Sequence, residues 1–124
     1  MITGIGIDMI ETERIHTKIA KEHGFREFVF SPGEINYCES ETSKYEHYAA
    51  RFAAKEAFLK AVGTGWKSGT SFNEIDISND DAGKPRLTLL GETATSLSEI
   101  AAMKISVSLA HLKMVASAIV IIES

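Results

Sequence analysis

From Arg51 to Val62 every residue is Ala or a larger apolar side chain, except Arg51, Lys55, Glu56 and Lys60. Ala49, Ala50, Ala53, Ala54, Ala57 and Ala61 favour helix and permit close packing, while Phe52, Phe58, Leu59 and Val62 add bulk. The pattern predicts a long helix over residues 44–62, closed by Gly63 and Gly65. A helix this apolar around its circumference is buried over much of its surface. Its charges must then be partnered or put to use, because burying a charge alone is costly. At 100° per residue, Arg51 and Lys55 lie about 40° apart, as do Glu56 and Lys60, with Glu56 roughly 140° from Arg51. Glu four residues before Lys is also the ordinary order of a helical ion pair, so spacing alone leaves both readings open.

The rest of the chain supplies what such a helix packs on. Residues 2–10 alternate and read as a strand. Ile5, Ile7 and Met9 form its expected packed face, and Gly4, Gly6 and Asp8 its bare face. Residues 12–23 read as a polar, basic surface helix ending at Gly24. Ser31-Pro32-Gly33-Glu34 is a helix start, with Ser31 as cap, Pro32 in the first turn and Glu34 completing a capping box. Residues 74–78 and 86–90 read as strands flanking a turn at residues 80–85. A helix is expected over 91–102, and two strands over 104–110 and 114–122, joined at His111-Leu112-Lys113. The order predicts an α+β fold with a largely antiparallel sheet packed against the long central helix.

The length, 124 residues, fits one domain, residues 1–124. The single cysteine, Cys38, excludes an internal disulfide framework and a cysteine-rich zinc site. A net charge of −4 argues against a general nucleic-acid binder. No apolar stretch reaches the roughly 20 residues of a spanning helix, and the N-terminus lacks the basic start of a signal peptide. A soluble, cytoplasmic protein is expected.

Asp8 and Glu56 gain meaning together. Mg²⁺ takes one or two carboxylates plus waters and substrate phosphates. Two acids on rigid elements, one beside small glycines, suit that role. Lys60, one turn from Glu56, suits phosphate oxygens as a point charge, and Gly63-Thr64-Gly65 offers backbone N–H groups to an anion.

The segment Gly4-Ile5-Gly6-Ile7-Asp8-Met9-Ile10-Glu11, with Arg14-Ile15 after it, resembles the opening motif of the holo-[acyl-carrier-protein] synthases. The run Arg51 to Gly65 closely resembles their second motif. Phe30-Ser31-Pro32-Gly33-Glu34, Gly83-Lys84-Pro85 and Val107-Ser108-Leu109-Ala110-His111 sit where that family has similar segments. The resemblance spans essentially the whole chain.

It implies a 4′-phosphopantetheinyl transferase-like fold. It also implies transfer of the 4′-phosphopantetheine arm of coenzyme A to a serine of an acyl carrier protein, in support of fatty acid biosynthesis, with adenosine 3′,5′-bisphosphate as by-product. Carried over, Asp8 and Glu56 are implied as Mg²⁺ ligands and Lys60 as the cation beside the coenzyme A phosphates. Arg51, Lys55 and Gly63 are implied as further coenzyme A contacts, Pro85 as the segment against the adenine, and His111 as a histidine near the phosphates. The serine proton is left to Glu56 or to water. A homotrimer is implied, with sites at subunit junctions. Arg14, Lys18, Lys21 and Arg26, against the single acid Glu22 in that stretch, become the docking patch for an acidic carrier. One departure stands out: Ala110 precedes His111, where the family usually has a hydroxyl residue. Two rival readings share parts of this pattern: another Mg²⁺-dependent nucleotide enzyme, and a non-catalytic module that binds coenzyme A or a carrier.

Overall fold

In a computed structural model, residues 1–63 and 69–124 are described. The chain runs β1 (Ile2–Glu11), α1 (Thr12–Lys21), α2 (Phe25–Val29), α3 (Pro32–Glu39), α4 (Lys44–Val62), a short 3₁₀ turn (Phe72–Glu74), β2 (Ile75–Asn79), β3 (Pro85–Leu89), α5 (Gly91–Ser96), α6 (Ser98–Ala101), β4 (Lys104–His111) and β5 (Val115–Glu123). The strands form two antiparallel sheets rather than one: β1-β5-β4, and the ribbon β2-β3. Helix α4 lies across the three-stranded sheet, with Ala53, Ala54, Ala57 and Phe58 fully buried. No helix among the described residues is long and apolar enough to cross a membrane.

The faces of β1 are the reverse of the expected ones. Ile5, Ile7 and Met9 are 58%, 63% and 69% exposed, whereas Gly6 is buried. The reason is the closeness of α4. A Cβ at Gly6 would overlap the Ala57 carbonyl oxygen and stand 2.7 Å from the Ala61 nitrogen, and a Cβ at Gly4 would overlap the Ala61 carbonyl oxygen. Helix backbone and strand backbone touch, so only residues without side chains fit between them. Burying the isoleucines on that side would push α4 away from the sheet.

The capping box forms as expected: Ser31 Oγ accepts from Glu34 N at 3.1 Å, and Ser31 N donates to Glu34 Oε1 at 2.8 Å. Glu34 does more than cap. Its other oxygen accepts from Ile77 N at 2.8 Å, tying α3 to β2, and Lys55 Nζ lies 2.7 Å from Oε1. Both side chains of this pair are fully buried. Removing one partner of such a pair costs about 3–5 kcal/mol, since the other charge is left stranded, so the two are committed to each other. The expected helix over 91–102 is broken into α5 and α6 at Leu97, whose backbone departs from helical values. Helix α2, a single short turn after Gly24, was not anticipated.

Candidate active site

The inversion of β1 turns Asp8 toward α4, on the same side as Gly4 and Gly6. Lys60 Nζ lies 2.9 Å from Asp8 Oδ1 and donates to the Ile7 carbonyl at 3.0 Å. Glu56 sits one turn earlier on α4 and is partly buried. Burial, and next the negative charge of Asp8, hold the Glu56 carboxyl above its ordinary value, while Lys60 pulls it down. Asp8, Glu56 and Lys60 thus meet at the seam between strand and helix, as the sequence expects. A partly buried carboxyl held above its ordinary value beside a second acid calls for positive charge nearby. An ammonium meets part of that need here, and a hard dication with oxygen ligands fits the same donor set. Among the described residues no group of three or more His, Cys, Asp or Glu side chains is placed to hold a metal ion. Asp8 and Glu56 could each offer a carboxylate oxygen to a cation at this seam.

A second cluster lies toward the N-terminal half of α4. A cleft of about 170 Å³ is lined by Tyr37, His47, Arg51, Gly83, Pro85 and His111 among others. It gathers Arg51, Pro85 and His111 from three distant parts of the sequence. Arg51 is only 2% exposed, its guanidinium stacks 4.3 Å from the Tyr37 ring centroid, and its Nε has no hydrogen-bond partner among the described residues. A buried, unpaired cationic N–H is costly unless something completes it. His111 ends β4 rather than sitting in a turn; its Nδ1 lies 2.9 Å from Glu46 Oε1, and its ring is 5.1 Å from that of His47. Ala110 is exposed on the opposite face of β4, so the missing hydroxyl leaves these contacts of His111 intact. Tyr37 and His47 were missed as site residues. The signal for His47 was available: it stands one helical turn before Arg51. Burial, and next the neighbouring His111 and Arg51, keeps His47 below its ordinary value, which favours the neutral ring, with one acceptor and one donor nitrogen.

Three expectations change. Lys55 does not reach this cleft. Besides pairing with Glu34 it donates to the carbonyls of Phe72 and Ile75 at 2.7 and 2.5 Å, and none of its side chain is exposed. Its three donors are spent inside the fold, which makes it a structural residue rather than a ligand contact. The basic patch is also narrower than the charge count suggests. Arg26 is held by Glu27 at 2.7 Å and Glu39 at 3.2 Å, and Lys18 by Glu22 at 3.2 Å. Only Arg14 and Lys21 of the four are without an ion pair among the described residues. Gly63 ends α4 in a left-handed conformation, φ 85°, its N–H bonded back to Leu59 O. The expected anion contact at Thr64 and Gly65 lies outside the described residues.

A strand–helix seam with two acids and a lysine, and a separate cleft holding a buried arginine, are equipment for phosphate chemistry. The comparisons agree. A holo-[acyl-carrier-protein] synthase of Solibacter usitatus is 40% identical over 125 residues, covering all of both chains. The crystal structure of a holo-[acyl-carrier-protein] synthase from Neisseria meningitidis superposes with a TM-score of 0.88 at 33% identity, over the whole of each chain. A holo-(acyl-carrier-protein) synthase from Bacillus anthracis, solved in complex with CoA (3′,5′-ADP), gives 0.81 at 40% identity, covering 100% of this chain and 98% of that one. The sequence pattern of the 4′-phosphopantetheinyl transferase superfamily matches residues 4–110, and the chain belongs to that family. It is a transferase with the fold of those enzymes.

Proposed function

We propose that this chain, acting as one domain over residues 1–124, transfers the 4′-phosphopantetheine arm of coenzyme A to a serine of apo acyl carrier protein. Adenosine 3′,5′-bisphosphate is released, and the reaction serves fatty acid biosynthesis in the cytoplasm. The observation that carries this reading is the convergence of Asp8, Glu56 and Lys60 at one seam in a chain of this family. Asp8 and Glu56 would hold Mg²⁺. Bound there, it would polarise the pyrophosphate and stabilise charge on the leaving phosphate.

The chain's own side chains do the rest. Lys60 meets phosphate oxygens as a mobile point charge. The serine proton would pass to the Glu56 carboxylate or to water. The cleft of Arg51, Pro85 and His111 would take the adenosine bisphosphate end, completing the unpaired Arg51 Nε. Arg14 and Lys21, with Lys18 and Arg26 held beside them in ion pairs, would orient an acidic carrier.

The exposed face of β1 supports a homotrimer. Ile5, Ile7 and Met9 stand beside Ile119 of β5, which is 37% exposed, along one side of the sheet. A contiguous apolar surface of this kind is a contact surface in waiting; the number three comes from the family resemblance. Light scattering at three chain masses is the expected result, and a monomer in solution would rule the trimer out.

The central test is direct. Incubation with apo acyl carrier protein, coenzyme A and Mg²⁺ should add one phosphopantetheine arm to the carrier, read by mass spectrometry. Suitable carriers that never gain the arm would overturn the proposal. Replacing both Arg14 and Lys21 by Glu should raise the KM for the carrier by about tenfold or more while coenzyme A binding is unchanged. Equal losses for both ligands would show that α1 is no separate docking surface.

A further inference from the structure

Lys60 is engaged before any ligand arrives. Its ammonium sits 2.9 Å from Asp8 Oδ1 and 3.0 Å from the Ile7 carbonyl, facing the carboxylate that the proposed function gives to a metal ion. The same lysine lies one helical turn from Glu56 and counters the raised proton affinity of that carboxyl. The chain therefore supplies its own counter-charge at the acid pair.

An ammonium and a dication held at the same carboxylate repel each other, and the hydrogen bond from Lys60 takes up a lone-pair site on the oxygen it contacts, so each weakens the hold on the other. A metal ion is held best once the lysine has moved off. The Lys60 side chain is 56% exposed, against 18% for Asp8, so the acid is fixed and the lysine is free to swing on its four-carbon stem. Ion pairs this exposed are weak and exchange readily. A phosphate oxyanion beside the seam gives the ammonium somewhere else to go.

We infer that Lys60 is a placeholder cation, which weakens the hold of Asp8 on a divalent cation while it stays there, and which phosphate draws away. The inference rests on the proposed roles of Asp8 and Glu56. It makes the protein alone a poor metal binder and couples metal to phosphate ligand, each favouring the other through the lysine they displace. The lysine thus does two jobs in sequence. It offsets part of the charge of the acid pair in the free protein, and it meets the phosphates once they arrive.

The test measures Mn²⁺ binding to the full chain without coenzyme A, by the loss of the free-ion paramagnetic resonance signal. Lys60→Gln should bind Mn²⁺ about five- to tenfold tighter than the parent, while Lys60→Arg, which keeps a cation on Asp8, stays near the parent. The gain should persist at about 0.5 M salt, where through-space repulsion is screened but direct occupation of the carboxylate is not. Thermal midpoints read by circular dichroism check that each variant is folded. Equal or weaker binding by Lys60→Gln, or a gain that disappears at high salt, overturns the inference. Asp8→Asn separates it from the reading beneath it. If that variant loses Mn²⁺ while Lys60→Gln gains nothing, the placeholder alone fails. If Asp8→Asn binds Mn²⁺ as the parent does, the acids are not the metal site and both readings fall.

Discussion

Gly6→Ala is expected to leave little folded protein. The added methyl would overlap the Ala57 carbonyl oxygen and crowd the Ala61 nitrogen, both backbone atoms in the middle of α4. Neither can move without shifting the helix, and α4 carries much of the buried core. A flexible side chain could rotate aside at small cost, but a helix backbone cannot. The loss should exceed about 4 kcal/mol, the range of diagnostic core lesions, against a total stability of about 5–15 kcal/mol for a domain. Soluble yield and a urea denaturation curve would report it. An unchanged midpoint would mean that β1 and α4 are not in backbone contact.

Glu56→Gln is expected to reduce transfer by on the order of 10²–10⁴-fold, the span associated with losing a positioned proton acceptor, with further loss from weaker cation binding. The substitution keeps the shape of a side chain that is only partly buried, so the denaturation midpoint should stay close to that of the parent. The rate of carrier modification by mass spectrometry, read beside that midpoint, separates a chemical defect from a folding one. Unimpaired turnover would remove Glu56 from the site.

The elements that were legible in sequence are those whose local signals agree. Helix α4 carries uninterrupted helix formers and a terminal glycine, and its boundaries match those expected. The capping box at Ser31 and Glu34 is local chemistry and formed as read. The triad of Asp8, Glu56 and Lys60 was also legible, through motif and spacing. What could not be read locally depends on distance between elements. Alternation showed that β1 has two faces, but the larger side chains suggested the wrong one as buried. An alanine-rich helix closing onto a glycine pair decides the matter, and that is a property of two segments some fifty residues apart in sequence. Lys55 fails for a related reason. Its neighbours Arg51 and Glu56 face the cleft and the strand–helix seam, but a turn of helix points Lys55 into the body of the protein, where Glu34 waits. Helix α2 has too few residues to show a period, and the split into two sheets follows from pairing partners that periodicity does not name.

The glycines of β1 have a consequence for how the chain finds its pairing. A strand shifted by one residue against β5 exchanges its two faces. In β1 that exchange would drive Ile5 and Ile7 into the backbone of α4 and swing Asp8 outward. The native register, with Ile7 opposite Ile119 and Asp8 opposite Ala118, is the one that lets the helix close. The bare positions at Gly4 and Gly6 therefore proofread strand alignment. Misaligned chains are refused by the core itself, and every chain that does close has its first acid already aimed at the second.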